Sequence, residues 1–272
     1  MTEHKNELPV RRPVHKTEDL IPRLGVNIDH IATLRELRGT PYPDLVEMAK
    51  LIEKAGAEQI TVHLREDRRH IQDQDVKDLR KNLKVPMNLE MAVSEEIIRF
   101  ACRIKPQWAC LVPEKRREVT TEGGIDLKRN FKKIHQTTAR LQKAGIRVSL
   151  FIEPTKQAVQ LSADSGADAI ELHTGRFALE TQKEARRRSQ AKIRREVDRI
   201  LEAGKLAQKL GLRVNAGHGL DYQNIRPLVD VRDAQGQALI REYNIGHSIV
   251  CRAAMVGIER AVREMVSLVQ AP

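Results

Sequence analysis

Aromatic side chains are scarce in this chain: one Trp, three Tyr and four Phe among 272 residues, or 3%. So few ring faces leave little on which single-stranded nucleic acid could stack. Cysteine is rarer still. Cys102, Cys110 and Cys251 show no metal-ligand spacing and sit in apolar surroundings, so they read as reduced core residues. No apolar run approaches the roughly 18 residues of a membrane span. The first twenty residues, MTEHKNELPVRRPVHKTEDL, lack the apolar centre of a secretory signal. Residues 1–23 are therefore expected to be a polar extension, and a cytoplasmic location is the default. Missing motifs narrow the chemistry further. No G-x-G-x-x-G follows the first candidate strand, which argues against a dinucleotide fold. No candidate strand ends in lysine, which argues against an enzyme-bound Schiff base. There is no nucleophile elbow and no Ser-His-Asp arrangement.

What is present is a repeat of short strands and amphipathic helices from Leu24 onward. Strand candidates are LGVNID (24–29), QITVHL (59–64), PMNLEM (86–91), ACLVP (109–113), RVSLFIE (147–153), AIELH (169–173), RVNAG (213–217) and YNIG (243–246). Between them apolar residues recur every three or four positions, as at Leu45, Met48, Ala49 and Ile52, or at Val76, Leu79 and Leu83. Gly56, Gly145, Gly166 and Gly211 each precede a strand, where a left-handed residue ends a helix. Ser94 before Glu95 and Glu96 suits a helix start. Eight strand–helix units imply parallel pairing and an α/β fold, a closed (β/α)8 TIM barrel spanning 24–272 with additional helices. An open doubly wound sheet is the alternative. The long connections after the fourth and sixth strands are expected to hold the extra helices.

The strand ends carry the polar residues: Asn27, Asp29 and His30; His63, Arg65 and His70; Asn88 and Glu90; Glu171 and His173; Asn215 and His218; Asn244 and His247. A barrel of this type builds its site from the loops after the strands, so these are the candidates. Gly217-His218-Gly219 and Asn244-Ile245-Gly246-His247 suit a phosphate held by backbone N–H groups, although any tight turn also uses glycine. Arg38 and Arg65 could hold a second anion. His63, Glu90, His173 and His218 are metal-ligand types, but their spacing does not make a metal site. Proton transfer by His and Glu is the better reading. The apolar neighbours Met87, Leu89 and Met91 suggest a raised pKa for Glu90. The formal charge is +11. Residues 181–209 hold ten Lys/Arg against four Asp/Glu, a net +6, which a solvated helix face explains more simply than polyanion binding.

Seven stretches, GVNIDHIATLR (25–35), ITVHLREDRRHI (60–71), MNLEMA (87–92), LVPEKRREVTTEGG (111–124), ELHTG (171–175), VNAGHGL (214–220) and NIGHSIV (244–250), closely resemble the pyridoxine 5′-phosphate synthase family. The resemblance runs from about Leu24 to about Met265. It implies a (β/α)8 barrel, an octameric assembly and no metal or organic cofactor. The implied reaction joins 3-amino-2-oxopropyl phosphate to 1-deoxy-D-xylulose 5-phosphate. By this resemblance His63 and Glu90 are general bases, His218 is the proton donor and Glu171 stabilises the transition state. Asn27, Arg38, Gly219, Gly246 and His247 match the aminoketone phosphate site. Asp29, His30, Arg65, His70 and Thr120 match the surroundings of the other substrate, and Pro113–Gly124 matches a mobile lid. Another phosphate-handling barrel enzyme and a nucleic-acid-binding protein are the alternative functions.

Overall fold

A computed structural model of the chain describes residues 21–113, 123–184 and 187–271. Thr120, residues 114–122 of the expected lid, Arg186 and the extension before residue 21 lie outside them. Within the described residues, each period-2 run forms a strand: β1 (Arg23–Asn27), β2 (Gln59–Leu64), β3 (Met87–Met91), β4 (Trp108–Leu111), β5 (Arg147–Ile152), β6 (Ala169–His173), β7 (Arg213–Gly217) and β8 (Glu242–Ile245). Every pairing is parallel, and β8 returns to β1, so the barrel closes in simple chain order. The helices are α1 (Asp29–Arg38), α2 (Leu45–Lys54), α3 (Asp73–Asn82), α4 (Glu95–Ile104), α5 (Leu127–Lys143), α6 (Lys156–Asp164), α7 (Gly175–Thr181), α8 (Gln190–Lys209), α9 (Arg226–Val229), α10 (His247–Val256) and α11 (Ile258–Gln270). None is long and apolar enough to cross a membrane.

The placement of the extra helices differs in part from expectation. The β6–β7 connection does hold two helices, but the described residues between β4 and β5 hold only α5. Two helices also follow β1 and two follow β8. After β1, Gly39 takes a left-handed φ of 61° and Pro41 and Pro43 bar continuation; the carboxylate of Asp44 then accepts from Glu47 N to start α2. Gly56, Gly145, Gly166 and Gly211 all have the positive φ their positions call for. Ser94 stands at the start of α4 as expected, but its hydroxyl makes no capping bond.

Side chains that alternate along the strands divide between two environments. Ile60, Val62 and Leu64, with Met87, Leu89 and Met91, join the fully buried apolar layer between sheet and helices. Their alternates point into the barrel, and most are polar. Gln59 donates to Glu242 (2.6 Å) and to Asn244, Thr61 donates to Asn244, and Asn88 donates to Thr61. At the amino-terminal end of the strands, Arg23 pairs with Glu242 at 3.6 Å and Arg213 reaches Asn215. Polar residues therefore fill the amino-terminal end of the barrel as well as the carboxyl ends where the sequence candidates lie. Several of the polar groups in this lower half hydrogen-bond one another across the interior.

The cysteines also divide. Cys110 is fully buried, Cys102 is intermediate, and Cys251 is exposed. The inward residue of α10 is Ile249, and a two-residue step of roughly 200° carries Cys251 to the outer face, 3.5 Å from His247 Nε2.

Gly204 sits in the middle of α8, where glycine ordinarily costs about 1 kcal/mol against alanine. Here a β-carbon would lie 2.7 Å from Cδ2 of fully buried Leu239. Gly204→Ala is thus expected to destabilise by about 1–2 kcal/mol, against the helix-propensity trend; a gain in stability in urea denaturation would show that Leu239 can move aside.

Candidate active site

At the carboxyl ends of the strands the first three loops converge on Asp29. The Asn27 side chain folds over it, with Asp29 N donating to Asn27 Oδ1 and Asn27 Nδ2 donating to Asp29 Oδ2. His63 N donates to Asp29 Oδ1 at 2.8 Å, and His70 Nε2 stands 3.7 Å from Oδ2. Burial works to raise the Asp29 carboxyl, but His70 and His63 outweigh it and hold the group below its ordinary value. Across the β2–β3 pairing His63 lies beside Glu90. Burial first, then the nearby carboxylates Glu171 and Asp29, push Glu90 well above the usual carboxylate range. The direction agrees with expectation and burial is its largest cause, but the flanking residues do not supply that burial. Met87, Leu89 and Met91 face the helices, and it is the two acidic neighbours inside the barrel that add to burial. Glu171 is pushed up to about 7 by burial and by Glu242, against the lowering effect of the bond from Asn244 Nδ2 (2.7 Å). Two carboxyl groups pushed above their ordinary range thus share one chamber with two imidazoles.

The opposite wall is the turn after β7. His218 takes a left-handed φ of 78°, uncommon for a residue with a β-carbon. The strain is held by Thr174, whose hydroxyl reaches the carbonyls of both Gly217 and His218. Burial, then the neighbouring His173, pulls the His218 imidazole down to about 4, so it is neutral at pH 7 when the site is empty. Gly246 is needed because a β-carbon would come within 3 Å of Asn27 and crowd His30. His30 and His247 place their rings 5.2 Å apart beside it, and burial lowers the His30 imidazole. Among the described residues, Asp29, His63 and Glu90 bring ligand atoms within 4.8 Å of one another and could hold a cation. No such group includes His173 or His218, so the four-ligand set considered from sequence is divided between two walls.

This chamber of His and Glu at a barrel mouth has counterparts of known family. A family model described as pyridoxal phosphate biosynthesis protein PdxJ matches residues 24–271. The chain belongs to the PdxJ family. Pyridoxine 5′-phosphate synthase of Trichlorobacter lovleyi is 52% identical over 250 residues, covering 92% of this chain and 99% of that protein. The Coxiella burnetii protein of the same name is 49% identical over 247 residues, covering 91% and 98%. Two solved barrels share the fold alone: KGPDC from Streptococcus mutans (TM-score 0.58, 14% identity, covering 92% and 97%) and phosphoribosylanthranilate isomerase from Thermotoga maritima (TM-score 0.52, 12%, covering 93% and 100%).

Of the positions that the PdxJ resemblance singles out, the fold gathers Asn27, Asp29, His63, His70, Glu90 and Glu171 into the chamber, with His218 and Gly219 on the β7 turn and His30, Gly246 and His247 together by β8. Arg65 is buried at the end of β2, 3.4 Å from Asp67. The charges that follow it pair with one another and with the next helices: Arg69 with Asp67, and Arg68 with Asp73 and Glu96. Arg38 is not brought in. It lies in the last turn of α1, exposed, roughly 13 Å along the helix from Asp29. Thr120 lies outside the described residues. Sequence reasoning passed over Glu153, whose Oε1 lies 2.6 Å from His173 Nδ1. It closes the fifth strand candidate and so carried the strand-end signal, but its partner is 20 residues away and invisible before folding.

A folded-state pKa near 7 against an ordinary 4.5 means that the native Glu171 binds its proton over a pH range where the unfolded chain has lost it. The associated stability is complete below about pH 4.5 and is lost as pH rises through 7. Glu171→Gln, neutral at every pH, is expected to match wild type near pH 5 and to be more stable by about 1–3 kcal/mol at pH 8. Thermal melts at both values check this, and a pH-independent difference would contradict the raised pKa.

Proposed function

We propose that the protein is a pyridoxine 5′-phosphate synthase, condensing 3-amino-2-oxopropyl phosphate with 1-deoxy-D-xylulose 5-phosphate and releasing phosphate and water, with residues 24–272 as the catalytic unit. The observation that carries the reading is the pair Glu90 and Glu171, both pushed above the usual carboxylate range beside His63 in one chamber. The amine belongs to one substrate and the ketone to the other, so the imine forms between them and no enzyme lysine is required. Loss of water, loss of phosphate and ring closure then each need a proton placed or removed, which several His and Glu residues supply.

In this reading His63 and Glu90 take protons, His218 gives one to a leaving oxygen, and Glu171 steadies the charge that develops between them. A neutral His218 must gain its proton in the complex; the negative charge of two phosphorylated substrates works in that direction. Asn27, Gly219, Gly246 and His247 would hold the aminoketone phosphate, and Asp29, His30, Arg65, His70 and Thr120 the second substrate. The reaction calls for no metal and no organic cofactor. Exposed Arg187, Arg188, Lys192, Arg194 and Arg195 on and before α8 suit attraction of anionic substrates, and three free thiols suit a cytoplasmic setting.

Homo-oligomerisation, to an octamer by family resemblance, fits the exposed apolar side chains Leu34, Leu37 and Tyr42 around the end of α1 and Met255 on α10. It would also give Arg38, exposed on the same helix end, a partner surface. Light scattering is expected to report a multimer for wild type and a smaller species for Leu37→Asp; a monomeric wild type would overturn this part.

With both substrates supplied, wild type is expected to form pyridoxine 5′-phosphate, and His63→Asn to lose on the order of 10²- to 10⁴-fold in kcat. Absence of product from wild type would remove the functional reading, and an unimpaired variant would remove His63 from it.

A further inference from the structure

Behind His218, away from the Asp29–His63–Glu90 wall, lies a second ordered set of charges. Glu153 follows β5 directly and places Oε1 2.6 Å from Nδ1 of His173, at the end of β6. Its other oxygen, Oε2, accepts from Arg199 Nη1 of α8 at 3.2 Å and lies 3.9 Å from Arg176 Nε of α7. Arg199 is itself braced by Glu196 one turn earlier. The bond from His173, then that from Arg199, outweigh burial and hold the Glu153 carboxyl at about 2, so it is a carboxylate throughout the working range.

With a carboxylate at Nδ1, the neutral His173 ring carries its proton on Nδ1 and leaves the Nε2 lone pair. The ring is 7% exposed, and Nε2 is buried with no hydrogen-bond partner among the described residues. It lies against Gly175, where a β-carbon would come to 2.5 Å from Nε2, so glycine there leaves the ring its place. On its other side the His173 ring meets His218 edge-on, centroids 4.8 Å apart at 64°, while Phe151 closes on both imidazoles at 5.2 and 6.3 Å. Two rings, one of them an imidazole, thus bound the plane of His218.

We propose that Glu153 and His173 are positioning residues for His218: Glu153 sets the tautomer and orientation of His173, and His173 in turn sets the plane and the proton affinity of His218. The arrangement resembles the orienting carboxylate of a hydrolytic triad in geometry, a carboxylate fixing one imidazole nitrogen, but here the imidazole acts on a second imidazole. The groups that face the pair are Glu153 after β5, Arg176 on α7, Arg199 and Glu196 on α8, and Glu171 on β6, which lies against Gly217. The arginines balance the second oxygen of Glu153, and among the described residues the ionisable ring that meets His218 edge-on is His173.

This inference rests on the synthase reading, but it has a test that needs no turnover. In protein with labelled histidine, NMR titration follows the His218 ring in wild type, Glu153→Gln and His173→Phe. In His173→Phe the aromatic edge is kept and the imidazole that lowers His218 is removed, and the His218 titration is expected to move upward. In Glu153→Gln the titration is expected to shift as well, with kcat falling about 10- to 100-fold, KM changing less than about threefold and the pH profile of kcat displaced. Glu153→Asp keeps the carboxylate and is expected to recover most of the loss. An unmoved His218 titration in both variants, or a loss of activity explained wholly by a lower melting temperature with an unchanged pH profile, would overturn the proposal. So would an Asp variant no better than Gln. If wild type makes no pyridoxine 5′-phosphate while the titrations shift as stated, the functional reading falls and the coupling of the two imidazoles stands.

Discussion

Closing a parallel sheet on itself sends every second side chain into a space that solvent reaches only from the ends. In this barrel those side chains are largely polar or ionisable, so each must find its partner across the interior. Gln59 and Glu242, Thr61 and Asn244, and Asn244 and Glu171 meet in this way, linking β2, β6 and β8 through the centre. The apolar work is done on the outside of the strands, where β-branched and long aliphatic residues meet the helices. The chemistry of the site follows from this inversion, because buried carboxyl groups are costly unless they keep a proton or gain a cation.

The chamber resolves that cost differently at each wall. Asp29 gains two histidines and two hydrogen bonds to its carboxylate and stays ionised. Burial and neighbouring carboxylates push Glu90 and Glu171 toward the protonated form. Glu153 has two arginines and a histidine and is a firm carboxylate. Four acids in three settings, all within one barrel mouth, provide the mixture of donors and acceptors that a multistep condensation between two small phosphorylated molecules requires.

Stiffness around the site comes from backbone and loop contacts more than from its own side chains. Arg35 of α1 grips Asp75 of α3 through two bonds of 2.7 Å and also reaches the His70 carbonyl, so the charged loop after β2 is held from both flanks. Thr174 fixes the strained His218 turn by the same logic, through carbonyls of the neighbouring strand end.

Much of this was legible before folding. Short strand candidates between amphipathic stretches marked all eight strands, and four glycines marked the helix ends, because both depend on local backbone preference. The strand-end residues His63, Glu90, Glu171 and His218 were marked for the same reason. What the linear chain could not show was any quantity set by a neighbour distant in sequence. The polar lower half of the barrel, the carboxylate that raises Glu90, the exposed place of Cys251 and the distance of Arg38 from the chamber all arise from closure and helix packing. Glu153 and His173 make the point most plainly. Each is an ordinary strand-end residue in the sequence, and only the β5–β6 pairing, with α8 laid across it, brings carboxylate, imidazole and guanidinium within hydrogen-bond reach.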